Sequence, residues 1–273
     1  MFVENATIIL SVLAAGAAAG FAGGLFGVGG GVITVPTLFL LFKSIGVADA
    51  PSLKSAIGTS LALIIIISIR SLITHQKAGH VDKALLKGWR PWIALGAAIG
   101  GATARWAPAE LLALVFAGGA FFVGWQRLFD RRKREARKDH LSDARLRVPV
   151  GFGTGLFASL MGTGGGALGI VIMTLSGRPI HQSIGTSAGF GVAVAIPGAL
   201  GFIVSGLGVE GLPPTSLGYV NLGAFAAMAV CAAFAAPLGA RVAHAASATV
   251  LSKIFGAYVI FAGAAILVDV FMP

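Results

Sequence analysis

The chain has 273 residues, of which 56% are hydrophobic and only 11% are charged. Soluble globular domains carry roughly 25% charged residues, so most of this chain must face lipid or other apolar helices, which excludes a soluble enzyme. The formal charge of +10 is no nucleic-acid footprint, because the basic residues gather between apolar runs, most densely with interleaved acids over 127–147, as the positive-inside bias produces. Cys231 is the single cysteine, so neither an internal disulfide nor a cysteine zinc site can form within one chain.

Apolar runs of about 20 residues cross the ~30 Å hydrocarbon core as helices. In chain order the first half offers 6–27, a short piece 32–43, then 53–74, 89–105 and 109–128. The first of these carries small residues at Ala17-Ala18-Ala19, but Glu4 and the lack of Lys or Arg ahead of it are wrong for a signal peptide. It is expected to remain in the mature protein. The second half offers 148–161, a short piece 167–176, then 183–206, 217–239 and 250–270. The expected fold is therefore all-α and polytopic, with 8–10 membrane segments. Residues 1–128 form one repeat, 129–147 a basic linker and 148–273 a second repeat.

The halves repeat each other in order. Gly27-Val28-Gly29-Gly30-Gly31 corresponds to Gly162-Thr163-Gly164-Gly165-Gly166, and Ile57-Gly58-Thr59-Ser60 to Ile184-Gly185-Thr186-Ser187. Further on, the spacing of Ala102, Leu112 and Phe116 returns at Arg241, Leu251 and Phe255. Each half is a glycine-broken pair followed by three spans. Five segments is an odd number, so the second copy should lie upside down relative to the first.

Charge placement agrees. With the 129–147 linker in the cytoplasm, Lys77, Lys83, Lys87 and Arg90 fall inside, as do Arg178 with His181 and Arg241 with Lys253. The 208–216 loop, with Glu210 and no Lys or Arg, falls outside, and so do both termini. Lys43, Lys54 and Arg105 are exceptions. Residues 148–176 are too few for two full spans at 1.5 Å per residue. The glycine turns are therefore expected to re-enter the membrane, which non-helical backbone does only when buried in protein or facing a watery cavity.

The candidate site follows from these breaks. Gly29, Gly30 and Gly31, and likewise Gly164, Gly165 and Gly166, free amides at the start of the short helices, where the helix dipole also favours an anion. Packing alone would explain one such cluster; two symmetric ones point to substrate. Gly58, Thr59 and Ser60, with Gly185, Thr186 and Ser187, begin long apolar helices, and their hydroxyls either line the path or bond back to their own carbonyls. Thr34 and Thr163 are weaker candidates. Pro36 and Pro197 read as kinks first and gating points second. Arg70, Arg105 and Arg241 either snorkel to the surface or form an anion vestibule.

Asp49 stands about twenty residues past Gly27, where a dinucleotide fold would carry its acid, but the second copy has no such acid. No HExxH spacing and no nucleophile–base pairing occurs, so no metal, cofactor or enzymatic activity is expected. None of Glu4, Asp49, Asp82, Glu110, Glu210 or Asp269 lies in mid-span, whereas proton- or cation-coupled carriers bury a carboxylate there. An acid-free site of amides and hydroxyls suits an anion. The inside-negative potential drives anions outward by ~2.3 kcal/mol per charge per 100 mV, which favours export without a coupling ion.

The residues also resemble a known family. Gly27-Val28-Gly29-Gly30-Gly31 with Val35-Pro36, Gly58-Thr59-Ser60, Gly79-His80-Val81-Asp82, Leu212-Pro213-Pro214 with Leu217-Gly218-Tyr219-Val220, and Pro237-Leu238-Gly239-Ala240-Arg241 together resemble the TauE/SafE permeases over nearly the whole chain. The resemblance implies a permease of the plasma (bacterial inner) membrane that exports sulfite, sulfoacetate or related anions, with uptake or passive anion conduction as the alternative. The second copy has Ile170-Val171 in place of Val35-Pro36, so a strictly symmetric site is not implied.

Overall fold

The computed structural model describes residues 2–129, 144–245 and 249–272. Ten helices appear among the described residues: α1 (Phe2–Phe26), α2 (Gly31–Ser44), α3 (Asp49–Lys77), α4 (Lys83–Thr103), α5 (Ala109–Phe129), α6 (Ala144–Met161), α7 (Gly166–Leu175), α8 (Ile180–Gly206), α9 (Leu222–Ala245) and α10 (Thr249–Phe271). They follow the apolar runs of the sequence closely, and the chain is an all-α polytopic membrane protein. Four of them, at Asp49–Lys77, Ala109–Gln126, Ile180–Gly206 and Leu222–Ala243, are long and apolar enough to cross a membrane alone.

One local expectation changes. The helix anticipated from residue 217 starts instead at Leu222, after a small antiparallel hairpin of β1 (Ser216–Leu217) and β2 (Val220–Asn221). Positive φ at Thr215 (64°) and Gly218 (54°) bends the chain away from helix. Asn221 then caps α9, its Oδ1 accepting from the Ala224 amide at 2.8 Å. The basic 129–147 stretch falls largely on 130–143, outside the described residues.

α3 and α8 form the antiparallel centre. Their contacts run in opposite senses along the two helices: Gly58 lies by Phe202, Leu61 by Gly198, Ser68 by Gly191 and His75 by Gly185. The pairings around this axis are exchanged between the halves. α1 packs on α9 as α6 packs on α4, α3 on α9 as α8 on α4, and α5 meets α10. Because the equivalent helices α3 and α8 run antiparallel, the two halves are inverted copies.

Close helix approach explains much of the glycine content. Gly16, Gly20 and Gly24 on α1 lie against the backbone of Met228, Ala232 and Ala236 on α9. Gly96 and Gly100 on α4 meet Phe152, Leu156 and Ser159 on α6 in the same manner. Small residues let backbones touch where no hydrophobic force separates lipid from helix. Large apolar side chains such as Val230, Phe234, Leu114 and Leu200 are left exposed on the outer surfaces, as expected where lipid is the solvent.

The three cations that break the charge pattern gather at the end where α3 begins, and each is committed locally. Lys43 bridges Asp269 at 2.6 Å and Asp49 at 2.9 Å. Lys54 donates to the Arg105 carbonyl at 2.9 Å and lies over the Tyr219 ring. Arg105 Nη1 reaches the Leu207 carbonyl at 3.5 Å. Each of these charges is thus engaged in a tertiary contact and remains an exception to the loop bias.

A matched pair of substitutions tests the packing. A Cβ on Gly24 would collide with the Ala236 carbonyl, whereas one on Gly118 of α5 meets nothing within 4 Å. Gly24→Ala should cost about 1–3 kcal/mol by overpacking and lower the thermal midpoint of the purified protein. Gly118→Ala should leave that midpoint level or raise it, through helix propensity worth up to about 1 kcal/mol.

Candidate functional site

The two glycine turns meet in the interior. Residues 27–31 and 162–166 are all buried, and each turn lies against the other: Gly31 against Gly162 and Thr163, Gly166 against Gly27 and Val28. Both turns also touch Ile64, near the midpoint of α3, and Gly164 lies 3.7 Å (measured from an added Cβ) from the Gly191 Cα near the midpoint of α8. The breaks therefore sit at mid-height of the two central helices.

Glycine is required here on two counts. Gly30 and Gly165 immediately precede α2 and α7 with φ of 77° and 70°, a left-handed conformation costly for any residue with a Cβ. Gly31 and Gly166 leave no room for a Cβ against the facing turn. From this meeting point α2 runs toward the end where α3 begins, reaching Asp49 through Lys43. α7 runs the opposite way, reaching the start of α4, where Arg178 pairs with Asp82. Two short helices thus present their N-termini, with amides that have no intrahelical partner, to one central region.

The serines of the repeated Gly-Thr-Ser motif hold the turns together across the halves. Ser60 Oγ donates to the Gly162 carbonyl at 2.8 Å, while the single proton of Ser187 Oγ is shared between the Ile184 carbonyl of its own helix at 2.7 Å and the Gly27 carbonyl at 3.1 Å. The threonines beside them accept from the loops that start the next helices. Thr59 Oγ1 takes the Asn221 amide at 2.8 Å, and Thr186 Oγ1 takes the Asp82 amide at 2.9 Å. Asn221 and Asp82 are themselves N-caps, of α9 and α4. Gly58 and Gly185 give the close approaches that admit these loops, facing the Tyr219 and His80 carbonyls.

The remaining sequence candidates separate. Thr34 is buried and its Oγ1 donates to the Gly30 carbonyl at 3.1 Å, while Thr163 is buried within the turn itself. Pro36 and Pro197 lie inside α2 and α8. Arg70 and Arg241 share a cavity of about 420 Å3 with Lys77. Arg105 lies at the opposite end of the bundle, beside Leu207 and Lys54. Burial pushes the Tyr219 phenol there above its usual range, against the opposing pull of the Arg105 charge.

Sequence reasoning left Asn221 and Ile64 unnamed. Asn221 carried a readable signal, since a capping residue stands directly before an apolar run. Ile64 carried none: it is one of four consecutive isoleucines, Ile64 to Ile67, and only tertiary structure singles it out. Ser71, two turns along α3 from Ile64 on the same face, is also buried, and its Oγ has no hydrogen-bond partner.

Comparison with known proteins adds to this geometry. A family described as "Sulfite exporter TauE/SafE" matches residues 12–266. A probable membrane transporter protein of Haemophilus influenzae is 34% identical over 254 residues, covering 93% of this chain and 96% of that one. A probable membrane transporter protein of Methanocaldococcus jannaschii is 26% identical, with 82% of each chain covered. No solved structure matches the chain.

The clasp is testable on its own. Ser60→Ala leaves the buried Gly162 carbonyl without that donor, a loss of about 1–3 kcal/mol, and Ser187→Ala should cost less because its hydroxyl is shared with the Ile184 carbonyl of its own helix. Each should lower the thermal midpoint, and the double variant should depart from additivity because both bonds brace the same pair of turns. Unchanged midpoints in both single variants would show that the turns are held by packing alone.

Proposed function

The chain belongs to the sulfite exporter TauE/SafE family, and from that premise we propose that it exports small sulfur-containing anions, sulfite or organosulfonates such as sulfoacetate. The observation that carries this reading is the meeting of two helix N-termini at mid-height, in a region where no buried carboxylate occurs among the described residues. Helix N-termini aimed at a midplane site are how inverted-repeat carriers receive anionic groups. Substrate would bind between the two turns and the Gly-Thr-Ser helices, within the residue set Gly29 to Gly31, Thr34, Gly58 to Ser60, Thr163 to Gly166 and Gly185 to Ser187.

Burial of both turns favours a carrier over an open channel. A sealed midpoint must be exposed alternately to the two sides at the interface of the repeats 1–128 and 148–273, joined by the 129–147 linker. Because α1 packs on α9 and α4 on α6 and α8, the parts that rock about the paired turns each draw helices from both repeats. Driven by the inside-negative potential of the plasma membrane, an anion leaves without a coupling ion at ~2.3 kcal/mol per charge per 100 mV. Proteoliposomes loaded with sulfite or sulfoacetate test this. Efflux should saturate with concentration and rise when the lumen is made negative. Flux absent for every sulfur oxyanion, or carried by cations, would refute the reading.

Gly165→Ala is the most informative variant at the turns. Its Cβ would meet only side chains, Val194 Cγ2 at 3.0 Å and Ala158 Cβ at 3.3 Å. The protein should therefore insert, at a cost of about 1–2 kcal/mol for the left-handed residue. Flux should fall at least tenfold if substrate passes the turn.

Orientation follows the bias of Lys77, Lys83, Lys87, Arg90, Arg178 and the 129–147 stretch toward the cytoplasm. In a Cys231→Ser background, a cysteine at Glu210 should react with a membrane-impermeant thiol reagent added to intact cells, and one at Gln76 should not. The reverse labelling would invert the topology.

A further inference from the structure

The basic hollow at the closing end of α3 is built around a proline. Pro237 in α9 has no N–H, so the carbonyl four residues earlier, that of Ala233, loses its helical donor. Arg70 Nε supplies one from α3 at 3.3 Å. The guanidinium is thereby pinned across the α3–α9 groove, with its other N–H donors in excess of that bond. Arg70, Lys77 and Arg241 line the resulting cavity of about 420 Å3 with Ile73 and Thr74, and no carboxylate is among the described residues lining it. The Thr74 hydroxyl is turned back to the Arg70 carbonyl at 3.0 Å.

The fold itself does not demand this charge. The repeat relation that matches Gly58 with Gly185 and Ala102 with Arg241 places Pro197, Val204 and Ala102 where Arg70, Lys77 and Arg241 stand. In the other half those three positions are uncharged and Gly201 packs directly on Gly101 and Ala102, with Arg105 lying beyond them at the Leu207 carbonyl. The Arg70–Lys77–Arg241 grouping itself is thus not repeated at the opposite membrane face.

The hollow's flanks are apolar and outward-facing. Ile69 and Ile73 on α3 and Phe234 and Leu238 on α9 are all exposed. A free oxyanion has no use for such walls. A phospholipid does, because its phosphate fits the cations while its chains cover the apolar flank.

We propose that the Arg70–Lys77–Arg241 hollow binds the phosphate of an anionic phospholipid, with the acyl chains lying along Ile69, Ile73 and Phe234. Basic pockets between transmembrane helices recognise lipid headgroups in this way. Arg70 both seals α9 and contributes to the site, whereas Lys77 and Arg241 are exposed and contribute charge alone.

The test uses the purified full chain in neutral detergent, titrated with dioleoyl phosphatidylglycerol, dioleoyl phosphatidylcholine, inorganic phosphate or sulfite, with affinity read from the rise in thermal midpoint. Phosphatidylglycerol should stabilise the protein and phosphatidylcholine should not. Arg241→Gln should weaken that affinity about five-fold, and Lys77→Gln/Arg241→Gln about thirty-fold, with the lipid-free midpoint unchanged. Arg241→Lys should retain most of the binding. Equal phosphatidylglycerol affinity in wild type and variants would overturn the proposal. A response to phosphate or sulfite with the same dependence on Arg241 would overturn it in favour of a free-anion vestibule. Flux plays no part in the readout, so the result stands apart from the transport reading.

Discussion

Two backbone carbonyls at the centre of a membrane protein have no water to turn to, and the architecture is arranged around satisfying them. The turns at Gly27 and Gly162 break helices at mid-height, where an unsatisfied peptide group costs several kcal/mol. Each carbonyl lies within reach of a serine from the opposite half, Ser60 for Gly162 and Ser187 for Gly27, the latter shared with the Ile184 carbonyl of its own helix. The break and the donor that reaches it belong to different repeats, so the two turns are braced across the repeat interface.

The same logic extends outward from the axis. One residue before each clasping serine, a threonine receives the amide of the capping residue of a helix in the other half, Asn221 for Thr59 and Asp82 for Thr186. A three-residue motif thus fixes two things at once: the facing turn, through serine, and the start of the neighbouring helix, through threonine. Its glycine admits the loop that makes the second contact possible. Six residues, Gly58 to Ser60 and Gly185 to Ser187, consequently link α3 and α8 to both ends of the opposite repeat.

Much of this was legible in the sequence, and the illegible part has a physical cause. Hydropathy marked the ten helices because burial in lipid demands unbroken apolar runs, and the odd count per half implied inversion. Repeated glycines located the breaks because few other residues tolerate φ near +75° at Gly30 or a facing backbone at Gly31. The roles of Ser60 and Thr59 were less readable. A hydroxyl near a helix start is chemically equal to the tasks of binding substrate, bonding back to its own helix and bracing a distant loop, and only the fold tells which partner is within reach. The start of α9 was misplaced by five residues because Leu217 and Val220 read as helix-compatible, while the decisive bends at Thr215 and Gly218 depend on the hairpin's seat against α3 and α8.

The symmetric centre ends in two unequal faces. The clamp from Thr59 to Asn221 and the clamp from Thr186 to Asp82 are the same bond in the two halves, yet what stands behind them differs. Asn221 is neutral and its amide group reaches the Pro214 carbonyl at 2.6 Å and the Ser216 hydroxyl at 3.3 Å, both within its own half. Asp82 is charged and pairs with Arg178 of the opposite half. A partly exposed ion pair adds only modestly to the hold of that end, because opening returns both charges to water. The hairpin end carries charged contacts of its own, since Lys43 of the first half bridges Asp269 of the second and Arg105 reaches the Leu207 carbonyl, so the two ends are closed by different sets of bonds. In the proposed alternating motion the two access states therefore break unlike contacts, and the symmetry that relates the halves does not make those states equal in energy.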